Sequence, residues 1–277
     1  MIDVPVTAAS SDLVGGASMP DVQGRGDLRR LPIQRVGITS LRYPLSVVVA
    51  GQVQATVGTW TLDVGLGAEQ KGAHMSRLIG WLDALTRGAS ALTGDSLRSE
   101  MENMLRLLQA DSGGIEVKFP FFIRKSAPVT GQQSLMEYDG VWLARRQGGV
   151  THLSMQATVP VKSLCPCSKE VSDDGAHNQR SHITVRAGLR EAVDWGEMVR
   201  FAEDNASCEL WGLLKRPDEK WVTERAYANP KFVEDLIRDV ALALHADARI
   251  ASYRVEVTNF ESIHAHDVYA VIEHNKH

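Results

Sequence analysis

The chain has 277 residues, of which 44% are hydrophobic and 23% charged, with a formal net charge of −4 at pH 7. These values are typical of a folded protein of one large or two small domains. The slightly acidic balance gives no reason to expect a nucleic-acid partner or an anionic membrane surface. The sequence contains no apolar run of about eighteen residues, as a membrane span would need. The first residues do not resemble a secretory signal and three cysteines cannot all pair, so we expect a reducing, cytoplasmic compartment.

The chain begins with a segment that has no hydrophobic period and continues with two predicted strands. Residues 1–30 are rich in Ser, Gly, Ala and Asp, and we expect a mobile tail. Alternating apolar residues predict a first strand from Val36 to Ala50 and a second from Val53 to Val64. The alternation of the second strand changes phase at Gly58, which suggests a bulge.

Two amphipathic helices follow these strands. Their apolar stripes run from Met75 to Leu85 and from Leu97 to Leu108. Two further strands are predicted at 115–121 and 136–145. The order is therefore ββααββ, and we predict one structural unit over residues 31–147.

The second half, residues 148–277, repeats the order ββααββ. Its strands are predicted at 153–161, 182–187, 249–257 and 266–272. A capping box from Asp194 to Glu197 begins one helix, and Asn229-Pro230 begins the other. Gly72-Ala73-His74 recurs as Gly175-Ala176-His177 at the matching position, which supports a tandem duplication.

A long loop separates the first two strands of the second half. A hairpin needs only a few turn residues, whereas about twenty residues intervene here. They include Cys165, Cys167 and His177, and thiolate and imidazole are preferred ligands of zinc-like metals. Free cysteines also occur as small buried apolar side chains, so the residues leave a metal site and a structural role open. The Cys-x-Cys spacing is tighter than that of structural zinc sites and favours an open, catalytic site.

Polar residues outside this loop are also candidates for binding or catalysis: His264, His266, Glu209, Glu224, Arg180 and Lys215. The two histidines stand at a predicted strand boundary, where solvated histidines are equally expected. The glutamates lie in an insert between the two helices, where a surface carboxylate needs no special explanation. The basic residues can hold an anion or simply be surface charge.

Several segments are long enough to be specific. They are Met19–Gln23, Lys71–Arg77, Ser163–Lys169, Gly175–Ser181, Leu213–Glu224 and Phe260–His264. Together they resemble the type IB GTP cyclohydrolase I family, and the resemblance extends over residues 19–273.

The resemblance implies an α+β tandem tunnelling fold, in which two ββααββ units with antiparallel sheets assemble into barrels in a homotetramer. It implies that GTP is converted to 7,8-dihydroneopterin triphosphate and formate, the first step toward folate. It implies one divalent ion per chain, namely zinc, manganese or iron(II). The site residues that it implies are Cys165, His177 and Glu209 as metal ligands, Glu224 as the guanine anchor, and Cys165, His264 and His266 as catalytic residues; Arg180 and Lys215 are candidates for the triphosphate.

Two alternatives remain open at this level. One is a nitrile reductase of the same superfamily, in which a cysteine attacks a deazapurine nitrile without a metal. The other is a non-catalytic metal- or pterin-binding assembly protein. Metal content and formate release distinguish these alternatives from a cyclohydrolase.

Overall fold

A computed structural model describes residues 22–88 and 90–276. The strands are β1 (Ile33–Val49), β2 (Gln52–Leu66), β3 (Gly113–Ser126), β4 (Gln133–Gln147), β5 (Val150–Leu164), β6 (Asn178–Leu189), β7 (Ile250–Asn259) and β8 (Val268–Asn275). The helices are α1 (Met75–Arg87), α2 (Gly94–Leu108), α3 (Pro166–Val171), α4 (Trp195–Glu203), α5 (Arg216–Ala228) and α6 (Val233–Ala246). None of the helices in these two ranges is long and apolar enough to cross a membrane.

The strands form one antiparallel sheet in the order β1 to β8, so that each strand pairs with the next along the chain. Alternation in the sequence places one face of each strand in the core. In β5, for example, Met155, Ala157 and Val159 are fully buried while the residues between them are partly exposed. The helices α1, α2, α4 and α6 pack against the strands. The sheet is therefore covered on one face, and β1 and β8 are its edges.

The predicted tail lies mostly outside the described residues, since the structure describes only its last part, residues 22–30. Within that part, Gly26 pairs with Gln70, and the side-chain amide of Gln23 donates to the carbonyl of Ala73 at 3.1 Å. The boundary predicted between residues 147 and 148 falls in the turn between β4 and β5. The division into two units stays a prediction, because the sheet is continuous across that turn.

The bulge predicted at Gly58 is wrong. Gly58 pairs in regular register with Tyr43. The apparent change of phase arises because Val53 and Val57 face away from the core, where they are 65% and 47% exposed. The irregularity lies in the facing strand β1, around Ser40, which has a φ of 60°.

Of the two helix starts predicted in the second half, one is confirmed and the other is wrong. The capping box is confirmed, since the backbone N–H of Asp194 donates to the carboxylate of Glu197 at 3.0 Å. The start predicted at Asn229-Pro230 is wrong, because α6 begins at Val233. Asn229 instead follows the end of α5 and donates its side-chain amide to the carbonyl of Ala206 at 2.9 Å.

A buried aspartate joins α5 to the first half of the chain. The Oδ1 atom of Asp218 accepts hydrogen bonds from the backbone N–H groups of Val129 and Thr130, both at 2.9 Å. Its Oδ2 atom accepts from Thr130 Oγ1 at 2.7 Å and from the N–H of Lys215 at 2.9 Å. Burial by itself would raise the pKa of this carboxyl, but the hydrogen bonds outweigh it and hold the pKa well below its usual range. Asp218 therefore ties the insert to the turn between β3 and β4.

We expect Asp218→Ala to lower the melting temperature by about 5 °C or more at neutral pH, because buried N–H donors lose their acceptor. Since the pKa is depressed in the folded chain, the stabilisation is complete above the unfolded-state pKa of about 3.9. It is lost as the pH falls through the folded pKa, so the variant and the parent should converge in acid. Differential scanning calorimetry at two pH values measures this. Asp111→Ala, at an exposed aspartate, is the control; equal melting of Asp218→Ala and the parent at pH 7 would contradict the prediction.

Candidate active site

The loops that carry the predicted site meet at one end of the sheet. Because neighbouring strands are antiparallel, β5 and β7 end where β6 begins. Cys165 directly follows β5 and His177 directly precedes β6. His264 and His266 lie in the connection that follows β7. The fold therefore gathers one thiol and three imidazoles from distant parts of the sequence.

Cys165 and His177 are held together through their backbones and through Ser168. The N–H of Cys165 donates to the carbonyl of His177 at 3.1 Å. Ser168 donates its N–H to Cys165 Sγ at 3.4 Å and accepts from the N–H of His177 at its Oγ, at 3.0 Å. This places Cys165 at the N-cap of α3, half-buried, while Cys167 is exposed.

In the described part of the chain, the hydrogen-bonding neighbours of the His177 imidazole lie at its Nδ1 atom. Its Nδ1 atom lies 3.1 Å from Gln179 Oε1 and 4.0 Å from Glu261 Oε2. Among the residues that the structure describes, none forms a hydrogen bond with its Nε2 atom. The ring of His264 stands edge-on to it, with centroids 6.3 Å apart, and His264 stacks on His266 at 5.2 Å. The open Nε2 atom is therefore available to a ligand.

The last strand begins later than predicted. We expected it to begin at His266, but β8 begins at Val268. His264 and His266 are exposed residues of the connecting segment and do not alternate along a strand. Their stacked rings thus depend on the loop conformation.

Glu209, the third predicted metal ligand, is engaged elsewhere. Its Oε2 atom lies 2.5 Å from Lys125 Nζ, and the same ammonium contacts Glu203 Oε1 at 2.8 Å. The side chains of Lys125 and Glu203 are only 9% and 7% exposed. Burial raises the pKa of Glu203, against the opposing charge of Lys125. Across residues 22–88 and 90–276, no three His, Cys, Asp or Glu side chains lie close enough to hold a metal ion.

The predicted substrate-binding residues are exposed. Glu224 lies on α5 with its side chain 67% exposed, and its Oε1 atom is 3.7 Å from Lys220 Nζ. Arg180 lies on the exposed side of β6, and Lys215 directly precedes α5. In the described part of the chain, no hydrogen bond or ion pair connects Glu224, Arg180 or Lys215 to the side chains of Cys165 and His177. Their assignment to the substrate stays a prediction.

The chemistry of Cys165 and His177 fits two positions of a metal coordination shell. A thiolate and an imidazole nitrogen are suitable donors for zinc, manganese or iron(II). Metal-bound histidines usually donate their second N–H to a carboxylate, an amide or a water, and His177 has such a neighbour in Gln179. A catalytic site needs about three protein ligands, so one more is required.

Sequence reasoning missed a group of buried polar residues beside this site: Ser163, Gln179, Ser181, Asn259 and Glu261. The first four are at most 9% exposed, as is the side chain of Glu261. A signal was present, because Gln179 and Ser181 occupy the same alternating positions of β6 as the buried Ile183 and Val185. Polar residues at core positions of a strand are uncommon unless they are hydrogen-bonded.

A second missed feature is the start of α6. The N–H of Lys231 donates to the carbonyl of Leu164 at 3.0 Å, immediately before Cys165. Lys231 lies two residues before α6, so this contact places the N-terminal end of that helix next to Leu164, and Glu234 is exposed in its first turn. Glu234 is therefore a second carboxylate to consider for substrate binding.

Solved structures with a similar fold include urate oxidases. The uricase from Arthrobacter globiformis is 10% identical, with a TM-score of 0.52 over 87% of this chain and 93% of that chain. The urate oxidase from Bacillus sp. TB-90 is 8% identical, with a TM-score of 0.52 over 88% of this chain and 100% of that chain. At this identity the likeness shows the fold alone. It confirms the predicted α+β tunnelling fold.

Similarity in sequence is much higher to proteins named GTP cyclohydrolase FolE2. The protein from Methylibium petroleiphilum is 56% identical over 92% of this chain and 95% of its own length. The one from Paraburkholderia xenovorans is 55% identical over 93% and 96%. The model of the family described as type I GTP cyclohydrolase folE2 matches residues 19–270. The chain therefore belongs to the type I GTP cyclohydrolase FolE2 family.

Proposed function

We propose that this chain is a metal-dependent GTP cyclohydrolase I, which opens the imidazole ring of guanine by hydrolysis. The products are 7,8-dihydroneopterin triphosphate and formate, and the reaction is the first step of tetrahydrofolate biosynthesis. The observation that carries the proposal is the meeting of Cys165, His177, His264 and His266 at one end of the sheet, in a chain of this family.

The proposed cofactor is one divalent ion per chain, namely zinc, manganese or iron(II). Cys165 and His177 would hold it, with Glu209 as the third ligand. The C8 atom of guanine is a poor electrophile, and a bound ion of this kind supplies hydroxide near neutral pH. The Glu209 carboxylate is paired with the Lys125 ammonium in the single chain, so this ion pair must break before Glu209 can bind the metal ion. The ligand set thus needs a local rearrangement or a different third ligand.

His264 and His266 are proposed to move protons. An imidazole has a pKa near neutrality, so one histidine can protonate the departing ring nitrogen and later take a proton back. Both rings are exposed and stacked, and the ring of His264 also contacts that of His177 edge-on. The proton donors are therefore adjacent to the metal-binding residues without being buried.

Binding of GTP is assigned to three exposed residues. The carboxylate of Glu224 is suited to guanine because N1–H and the 2-amino group present two parallel donors. Arg180 and Lys215 supply cations for the triphosphate. All three side chains are open to solvent in the single chain, which leaves them accessible to substrate or to another subunit.

We further propose a homotetramer with active sites at the subunit interfaces. The strands β1 and β8 pair with only one strand each among the described residues, so both edges of the sheet are open. Val53, Tyr269 and Val271 are exposed apolar residues on strands, as expected for a surface that another chain covers. Sedimentation should give the mass of four chains. An active monomer would contradict the assembly.

A cytoplasmic location also remains a proposal. All three cysteines, Cys165, Cys167 and Cys208, are free thiols in the structure. Free thiols persist in a reducing compartment, which supports the cytoplasm.

Formate release tests the proposed function. Protein purified without chelator should contain about one ion per chain and should release formate from GTP. Chelation should abolish the release, and adding back a divalent ion should restore it, because no other group of the site supplies hydroxide at neutral pH. Formate release that persists in metal-free protein would refute the metal dependence, and protein that neither binds an ion nor releases formate would favour the nitrile reductase alternative. Metal binding without formate release would favour the non-catalytic one.

A further inference from the structure

A continuous chain of buried polar groups leads across three strands to His177. Asn259 of β7 accepts a hydrogen bond at Oδ1 from Ser181 Oγ of β6, at 2.7 Å. Ser181 Oγ lies 2.8 Å from Ser163 Oγ of β5, which in turn is 3.1 Å from Gln179 Nε2. Gln179 Oε1 is 3.1 Å from His177 Nδ1. Asn259, Ser181, Ser163 and Gln179 are almost completely buried. Water therefore cannot replace these hydrogen bonds without a large cost in free energy.

The chain has a direction because each hydroxyl carries a single proton. The Ser181 hydroxyl donates its proton to Asn259 Oδ1. In the hydrogen bond between the two serines, Ser163 is therefore the donor and Ser181 the acceptor. Ser163 has then used its own proton and can only accept from Gln179 Nε2. The amide of Gln179 therefore presents its oxygen, which is an acceptor only, to His177.

Glu261 fixes the same orientation independently. Its Oε1 atom lies 3.5 Å from Gln179 Nε2, and an ionised carboxylate can only accept. Its other oxygen, Oε2, is 4.0 Å from His177 Nδ1, on the same side of the ring as Gln179. Two sets of contacts, one from Ser163 on β5 and one from Glu261 in the segment after β7, thus place the amide nitrogen of Gln179 away from the histidine.

We propose that Gln179 is a positioning residue that fixes His177 as the tautomer protonated at Nδ1. An unrestrained neutral imidazole favours the proton on Nε2, so the buried chain reverses the intrinsic preference. The lone pair then lies on Nε2, the atom that the described residues leave without a hydrogen bond. This last step rests on the proposed function, since it is Nε2 that would bind the metal ion. Asn259, Ser181 and Ser163 act through Gln179, and Glu261 supports it from the other side.

Nitrogen NMR tests the tautomer without any metal or substrate. The full-length protein, labelled with ¹⁵N-histidine and stripped of metal, is measured in the solid state about two pH units above the ordinary histidine pKa. The signals of His177 are assigned by difference from His177→Asn. We expect a protonated Nδ1 and an unprotonated Nε2. A proton on Nε2 in the parent protein would overturn the inference, whether or not the chain releases formate from GTP.

Metal affinity tests the consequence. Gln179→Met keeps the size of the side chain but removes the acceptor, and we expect a divalent ion to bind about 10–100-fold more weakly, the usual cost of losing such a partner. The matched control is Gln156→Met, at a glutamine of β5 that accepts from Arg186 Nε at 3.0 Å and forms no hydrogen bond with His177 in the described chain. It should bind the ion within a few-fold of the parent. Manganese titration with a competing chelator measures both, with thermal melting as a check on folding. Equal affinity of Gln179→Met and the parent would contradict the inference, as would equal losses in the two variants.

Discussion

Cys165→Ala is expected to lose the bound metal ion and all measurable formate release, while the chain stays folded. The thiolate is the strongest of the proposed donors, and the imidazole of His177 with the carboxylate of Glu209, which is paired with Lys125, is too small a ligand set to hold a divalent ion. The cost to folding is small, because the sulfur accepts one N–H bond, from Ser168 at 3.4 Å, at the N-cap of α3. Loss of an N-cap costs about 1 kcal/mol of the free energy of unfolding. Metal analysis and calorimetry on one preparation separate the two effects.

Cys208→Ala is the matched control for this experiment. Cys208 is buried beside Leu164, and burial raises the pKa of its thiol to about 11, so it is not a thiolate at neutral pH. Its replacement should leave the metal content unchanged, although packing is slightly impaired. If Cys165→Ala keeps its ion, or if Cys208→Ala loses it, the assignment of the thiolate ligand fails.

Those parts of the fold that depend on local periodicity could be predicted from the sequence. The alternation in β5 and the stripes of α1, α2 and α6 reflect burial of one face against the sheet, and burial leaves a direct trace in the residue types. The capping box at Asp194 is equally local, since donor and acceptor are three residues apart. Such features need no knowledge of the rest of the chain.

Features decided by contacts between distant residues were missed. The helix α5 has no apolar stripe, because its buried residues are Asp218, Val222 and Ala226. It is held by hydrogen bonds that Asp218 accepts from the backbone N–H groups of a turn lying 88 and 89 positions earlier in the chain. The neighbours of His177 show the same limit, since Glu261 comes from beyond β7. A motif can name the ligand candidates, but the groups that orient them are known only from the folded chain.

Two carboxylates, Glu224 and Glu234, are candidates for binding guanine. The family resemblance selects Glu224, which the structure places on the exposed side of α5. One turn further along α5, the carbonyl of Tyr227 accepts from Lys169 Nζ at 2.6 Å, so this part of α5 contacts α3, the helix that Cys165 caps. Glu234 lies in the first turn of α6, three residues after Lys231, whose N–H contacts Leu164. Each carboxylate therefore lies within three residues of a backbone contact with the segment from Leu164 to Lys169 that carries Cys165.

Glu224→Gln is expected to weaken GTP binding by about a hundredfold without changing the metal content. The substitution keeps the size of the side chain but turns one acceptor into a donor that faces a donor of guanine. Losing a charge-assisted pair and leaving a polar group unpaired should cost about 2–4 kcal/mol, which corresponds to this change in affinity. The ion pair with Lys220 is exposed and contributes less than about 1 kcal/mol, so its loss cannot produce an effect of this size.

Glu234→Gln, measured beside it, decides between the two carboxylates. If Glu224 is the anchor, Glu234→Gln should bind GTP within a few-fold of the parent, because its own first-turn position is exposed and its replacement disturbs no hydrogen bond in the described chain. If the hundredfold loss appears in Glu234→Gln and not in Glu224→Gln, the guanine is bound at the first turn of α6, where the partial positive charge of the helix end stabilises a carboxylate. If Glu224→Gln loses its metal ion, Glu224 is a metal ligand, and Glu209 stays paired with Lys125 instead of binding the ion. Because GTP affinity and metal content are read from the same preparations, each pattern identifies one residue for one role.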